Sequence, residues 1–136
     1  MPSFKFQFYV NWVDTDALSV VHFSNYFRYF EKTEEAFYKS TGIDQNEIEE
    51  RNRVAFPRVD VRCSYEFPCR YGDDLEVSLS LSEITDKAVS LAFDVRNLTH
   101  GKLSAKGAVT LVCVDTQKWK AVSIPPELRE VYSKLS

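Results

Sequence analysis

Between Ser24 and Thr41 apolar residues recur at helical spacing, and most of them are aromatic. Tyr26, Phe27, Phe30, Thr33, Phe37 and Thr41 fall near i, i+3/i+4 and i+7, while Arg28, Lys32, Glu35 and Lys39 lie largely to the other side. Ser24 stands at the N-cap position and Gly42 at C′, which predicts a helix of about 27 Å at about 1.5 Å per residue. So broad an aromatic face cannot be covered by a flat layer. A curled antiparallel sheet wrapped around the helix would bury it.

The rest of the chain supplies the strands. Phe4, Phe6, Phe8 and Val10 alternate with Lys5, Gln7 and Asn11, the period of a half-buried strand. The mixed-charge stretch 44–53 reads as a short polar helix or an exposed loop. Strand patterns follow over 54–66, 74–84, 88–97 and 102–114, with a short one near 118–122. Leu75, Val77, Leu79 and Leu81 against Glu76, Ser78, Ser80 and Ser82 give one buried and one polar face. Thr85–Lys87 and Asn97–Gly101 have the composition of hairpin connections. Pro125-Pro126-Glu127 opens a last helix over 126–135. The expectation is a single α+β domain spanning residues 1–136, with an open sheet edge that favours dimerisation.

Composition narrows the function. Seventeen basic against 20 acidic residues give a net charge of −3 and no basic patch, so no nucleic-acid partner is expected. The four glycines stand apart, which excludes phosphate-cradling glycine loops. Three cysteines without a C-x-x-C pair, beside only two histidines, argue against a metal site. Cys113 lies in an apolar strand and reads as a buried, inert thiol. There is no G-x-S-x-G elbow, no signal-peptide pattern and no apolar run long enough to span a membrane. A reduced, cytoplasmic, soluble domain is expected.

One segment carries chemistry. Asp14-Thr15-Asp16 sits between the first strand and the start of the aromatic helix. Two carboxylates there are either a solvated turn or a reactive site, because the loop brings an acid close to the free N–H groups of a helix start.

From Val13 to Glu31 the sequence VDTDALSVVHFSNYFRYFE resembles the signature of the hot-dog-fold acyl-CoA thioesterases of the 4-hydroxybenzoyl-CoA thioesterase type. Phe56-Pro57, Tyr65-Glu66-Phe67-Pro68, Gly72-Asp73-Asp74-Leu75 and Val112-Cys113-Val114-Asp115 follow in that family's order. The resemblance implies a hot-dog fold and hydrolysis of an acyl-CoA thioester to free acid and CoA. Asp16 would be nucleophile or general base, and the backbone amide of Phe23 the oxyanion donor. It further implies a homodimer, with two dimers forming a tetramer, and an acyl tunnel at the subunit interface. CoA enters as part of the substrate, with no metal and no other cofactor. His22, Asn25, Glu31, Arg58 and Lys87 are the remaining candidates for substrate contact. His22 alternatively caps or packs, and Glu31 alternatively faces solvent or pairs with Arg28. Lys87 matches a basic turn position that meets CoA in the family, and Asn25 could orient the loop. Ser19 stands where many relatives carry Gly, so its Cβ would narrow the loop or change its φ. Two other readings remain: an acyl-thioester hydratase or dehydratase using His22, and a non-catalytic acyl-CoA-binding module of the same fold.

Overall fold

A computed structural model describes residues 3–136. Strand β1 (Phe4–Tyr9) leads through a short 3-10 turn (Trp12–Asp14) to the long helix α1 (Asn25–Ser40). Helix α2 (Gln45–Asn52), β2 (Val54–Ala55) and β3 (Arg58–Tyr65) come next. Then follow β4 (Asp74–Ile84), β5 (Ala88–Asn97), β6 (Lys102–Val112), β7 (Val114–Asp115) and α3 (Pro126–Ser133). Five strands form one antiparallel sheet in the order β1-β4-β5-β6-β3, and β2 pairs separately with β7.

The sheet wraps the aromatic helix as its burial demands. Tyr26, Tyr29, Phe30, Thr33, Glu34 and Phe37 of α1 are buried. Phe37 meets Phe4 edge-on at 5.6 Å, and Phe30 stacks on Phe93 at 4.6 Å. Strands β4 and β5 send Leu75, Val77, Leu79, Val89, Leu91, Phe93 and Val95 inward, matching the alternation of the sequence.

Several boundaries differ from the sequence pattern. The expected strand 54–66 is broken at Phe56-Pro57: Pro57 has no N–H to give a ladder, and its carbonyl accepts from Val112 N at 3.2 Å. No strand forms near 118–122. Trp119 turns the chain at φ 53, and Ala121 makes only an isolated bridge to Val114. The last helix ends at Ser133, short of 135. The polar stretch is a helix capped by Asp44, whose Oδ1 accepts from Glu47 N at 3.1 Å. Ser24, expected as an N-cap, makes no capping bond because its hydroxyl pairs with His22 Nδ1 at 2.8 Å.

Glu49 of α2 is half-buried, and desolvation raises its pKa despite the bond from Gln45 Nε2 at 2.7 Å. A carboxyl raised in the fold stabilises it fully below the unfolded pKa of about 4.3 and loses that contribution as pH rises through the folded value. Glu49→Gln is therefore expected to raise stability at pH 7 by under about 1 kcal/mol, given its solvent contact. Thermal melts should show the gain shrinking to nothing as the pH falls below about 4.

Candidate active site

The loop from Asp14 to His22 folds back on itself. His22 N donates to Asp14 O at 2.9 Å, Thr15 bridges Val21, and Asp16 N donates to Val20 O at 2.8 Å. Closing this narrow ladder takes a three-residue connection, Ala17–Ser19, with Ser19 N bonded to Asp16 O at 2.9 Å. Ser19 holds φ 63, the left-handed conformation such connections usually assign to glycine. Its Cβ is thus accommodated at the expense of backbone strain. Ser19→Gly is expected to stabilise the protein by about 1 kcal/mol, read as a rise in Tm.

The two aspartates of the motif do different work. Asp14 is a strut: its Oδ2 accepts from the buried Tyr29 hydroxyl at 2.9 Å, and its carbonyl accepts from Asn25 Nδ2 at 2.8 Å. Burial and this carboxylate push the Tyr29 phenol well above its usual range, so it stays a donor. Asp16 Oδ1 accepts from Leu18 N at 2.8 Å, which orients the side chain. Its Oδ2 has no partner among the described residues.

Asp16 lines a cavity of about 360 Å³ together with Phe23, Tyr26, Tyr65 and Phe67. Phe23 is 64% exposed. Its carbonyl is fixed by the Tyr65 hydroxyl at 2.9 Å, while its N–H donates to no group among the described residues. Tyr65 also meets Tyr26 edge-on at 5.0 Å, and burial lifts its phenol to about 12. Asp16, with its oriented carboxylate, and Phe23, whose amide is free among the described residues, therefore line one cavity just ahead of α1. That pair can deliver a nucleophile or base and receive an oxyanion.

The other sequence candidates are placed as follows. His22 stacks on Phe23 at 4.4 Å, and its Nδ1 accepts from Ser24 N at 3.2 Å. It does not line the Asp16 cavity. Asn25 ties the helix start to the loop. Glu31 is exposed further along α1 and makes no ion pair with Arg28 among the described residues. Arg58 is engaged by Glu34, with Nη2 at 2.7 Å from both carboxylate oxygens. Lys87 is exposed in the β4–β5 turn. Arg58 and Tyr65 stand at opposite ends of β3, about 23 Å apart at about 3.3 Å per residue. The pairings Arg58–Leu111 and Ala88–Val112 put Lys87 at the same distant end. One chain does not bring Arg58 or Lys87 to Asp16.

The sequence pattern gives no role in the site to Tyr65 or Tyr29. Both act through contacts distant in sequence, and only the recurrence of Tyr65-Glu66-Phe67-Pro68 in the family pattern marked the first. Cys113 is fully buried, and burial pushes its thiol up to about 11, as befits an inert group.

Comparison with known proteins places the chain in a family. Residues 10–131 match the thioesterase-like superfamily. The acyl-CoA thioesterase YbgC of Haemophilus influenzae is 27% identical over 132 residues, covering 97% of this chain and 96% of that protein. The long-chain acyl-CoA thioesterase FadM of Escherichia coli is 28% identical over 114 residues, covering 83% and 86%. Among solved structures, the 1,4-dihydroxy-2-naphthoyl-CoA thioesterase of Synechocystis superimposes with a TM-score of 0.90 at 20% identity, covering 98% of this chain and 97% of that one.

Proposed function

The chain belongs to the thioesterase-like superfamily and has its hot-dog fold, and from that premise we propose that it hydrolyses acyl-CoA thioesters at the Asp16 cavity. The observation carrying this reading is that Asp16, its carboxylate oriented by Leu18 N, lines one cavity with Phe23, whose N–H has no partner among the described residues. In one route Asp16 takes a proton from water, and the hydroxide attacks the thioester carbonyl. In the other, a carboxylate oxygen of Asp16 attacks directly, and water later cleaves the mixed anhydride. Both pass through a tetrahedral oxyanion facing the Phe23 amide, and both expel CoA as a thiolate. The thiolate takes up the proton Asp16 drew from water in the first route, and the one released when water cleaves the anhydride in the second. The sum is acyl-CoA plus water giving carboxylic acid plus CoA thiol. The thiolate is a good leaving group, so no strong general acid is needed.

A homodimer completes the site. Strand β3 is a sheet edge whose outer backbone groups have no partner among the described residues, and Val59, Val61 and Tyr65 are exposed along it. A two-fold axis pairs an edge strand with its copy only in the antiparallel sense. The end carrying Arg58 and Lys87 in one subunit then faces the Tyr65 and Asp16 end of the other. Lys87 would meet the CoA phosphates in this way, from the partner. No metal and no separate cofactor take part in the scheme.

The test is release of free thiol from acyl-CoAs of graded length and from benzoyl-type esters. A hydratase would instead change the enoyl absorbance. A binding module would show ligand-induced stabilisation without turnover, equal in the wild type and in Asp16→Asn. Absence of thiol release across the whole series would overturn the reading.

A further inference from the structure

Three cavities follow one another along α1. The first is that of Asp16, Phe23 and Tyr65. The second, about 320 Å³, lies further along the helix between α1 and β3, walled by Phe27, Phe30, Val61 and Val109. The third, about 600 Å³, continues beside α2 past Tyr38, Ile43 and Phe56. Glu31, Glu34 and Arg58 line both the second and the third, so the Glu34–Arg58 ion pair stands at the partition between the two. Glu34 is 4% exposed and also accepts from the Tyr38 hydroxyl, which in turn meets Tyr132 Oη at 3.0 Å. Arg58 Nη1 donates to Phe56 O at 3.3 Å.

A β-bulge sets this partition. The register of β3 on β6 shifts between Arg58 and Asp60, so Arg58 faces Leu111 while Val61 faces Val109. Leu111 and Val109 are both buried. Without the extra residue, side chains three apart on a strand would point to opposite faces, and Arg58 would leave the cleft.

Resting on the thioesterase reading above, we propose that the Glu34–Arg58 pair is a stopper that limits the acyl chain, making medium-chain acyl-CoAs the substrates. An alkyl chain leaving the Asp16 cavity gains from contact with Phe27, Phe30 and Val61. The next methylenes meet a pair held by several hydrogen bonds, and parting it would strand a buried carboxylate. From Asn25 to Glu34 the helix rises about 14 Å, and an extended chain advances about 1.2 Å per bond, so about ten to twelve carbons fill the run.

The experiment compares thiol release from saturated acyl-CoAs of six to eighteen carbons in the wild type and in the Glu34→Ala/Arg58→Ala double variant, which removes both charges together. The wild type is expected to fall in kcat/KM beyond about twelve carbons. The double variant should raise the ratio of sixteen-carbon to eight-carbon kcat/KM at least about tenfold by opening the third cavity. An unchanged length profile in an active double variant overturns the stopper and leaves hydrolysis standing. Wild-type inactivity on every ester overturns both. Should the double variant not fold, Val61→Phe decides: narrowing the second cavity should shorten the longest accepted chain, and an unshifted limit refutes the proposal.

Discussion

Asp16→Asn is expected to lower kcat/KM for thioester hydrolysis by about 10²–10⁴-fold, the contribution of a positioned proton-transfer group. The amide keeps the volume of the carboxylate, and its carbonyl oxygen can still accept from Leu18 N. The loop should therefore hold its shape, with stability within about 0.5 kcal/mol of the wild type. Asp14→Ala should behave in the opposite way. It strips the acceptor from the buried Tyr29 hydroxyl, which predicts a loss of about 1.5–3 kcal/mol in unfolding free energy. Steady-state thiol release and chemical denaturation on the two variants separate the roles. Full activity in Asp16→Asn would refute the site assignment, whatever the fold.

The contrast between the two aspartates also marks how far the sequence can be read. Local pattern reached α1, because aromatic residues at helical spacing leave few alternatives. It reached the β4–β5 hairpin for the same reason: alternation over a long run is a strong signal. The family signature pointed to Asp16 and to the Phe23 amide. What stayed hidden depends on neighbours brought in by the sheet. Strand β3 crosses to the far edge beside β6, and no local feature of 58–65 announces that. Only that crossing sets Tyr65 against Phe23 and turns Arg58 toward Glu34. Ser24 likewise has the composition of a helix cap, yet its hydroxyl finds the ring of His22 two residues away. Pro57 was visible, but its consequence, a strand split between two ladders, follows from the partners chosen on either side.

Phe30→Ala is expected to lower the free energy of unfolding by about 3–5 kcal/mol, a large part of the about 5–15 kcal/mol that holds such a domain together. The ring is 2% exposed, stacks on Phe93 with an interplanar angle of 18°, and meets Phe27 edge-on at 5.7 Å. It also lies against Gly107, where an added Cβ would sit 2.2 Å from Phe30 Cζ. The absence of a side chain at 107 is what lets the central helix settle so deeply into the sheet. Gly107→Ala alone should destabilise by about 1–3 kcal/mol through overpacking, since a ring pressed against Phe93 has little room to retreat. Combined with Phe30→Leu, whose shorter side chain frees that space, the alanine should cost less than the two single losses summed. The coupling expected from a double-mutant cycle by urea unfolding is about 0.5–3 kcal/mol. Strict additivity would mean that the ring does not rest on Gly107. Because Phe30 also walls the cavity beyond Asp16, displacing its ring should change which acyl chains the protein accepts, linking the packing of the core to the choice of substrate.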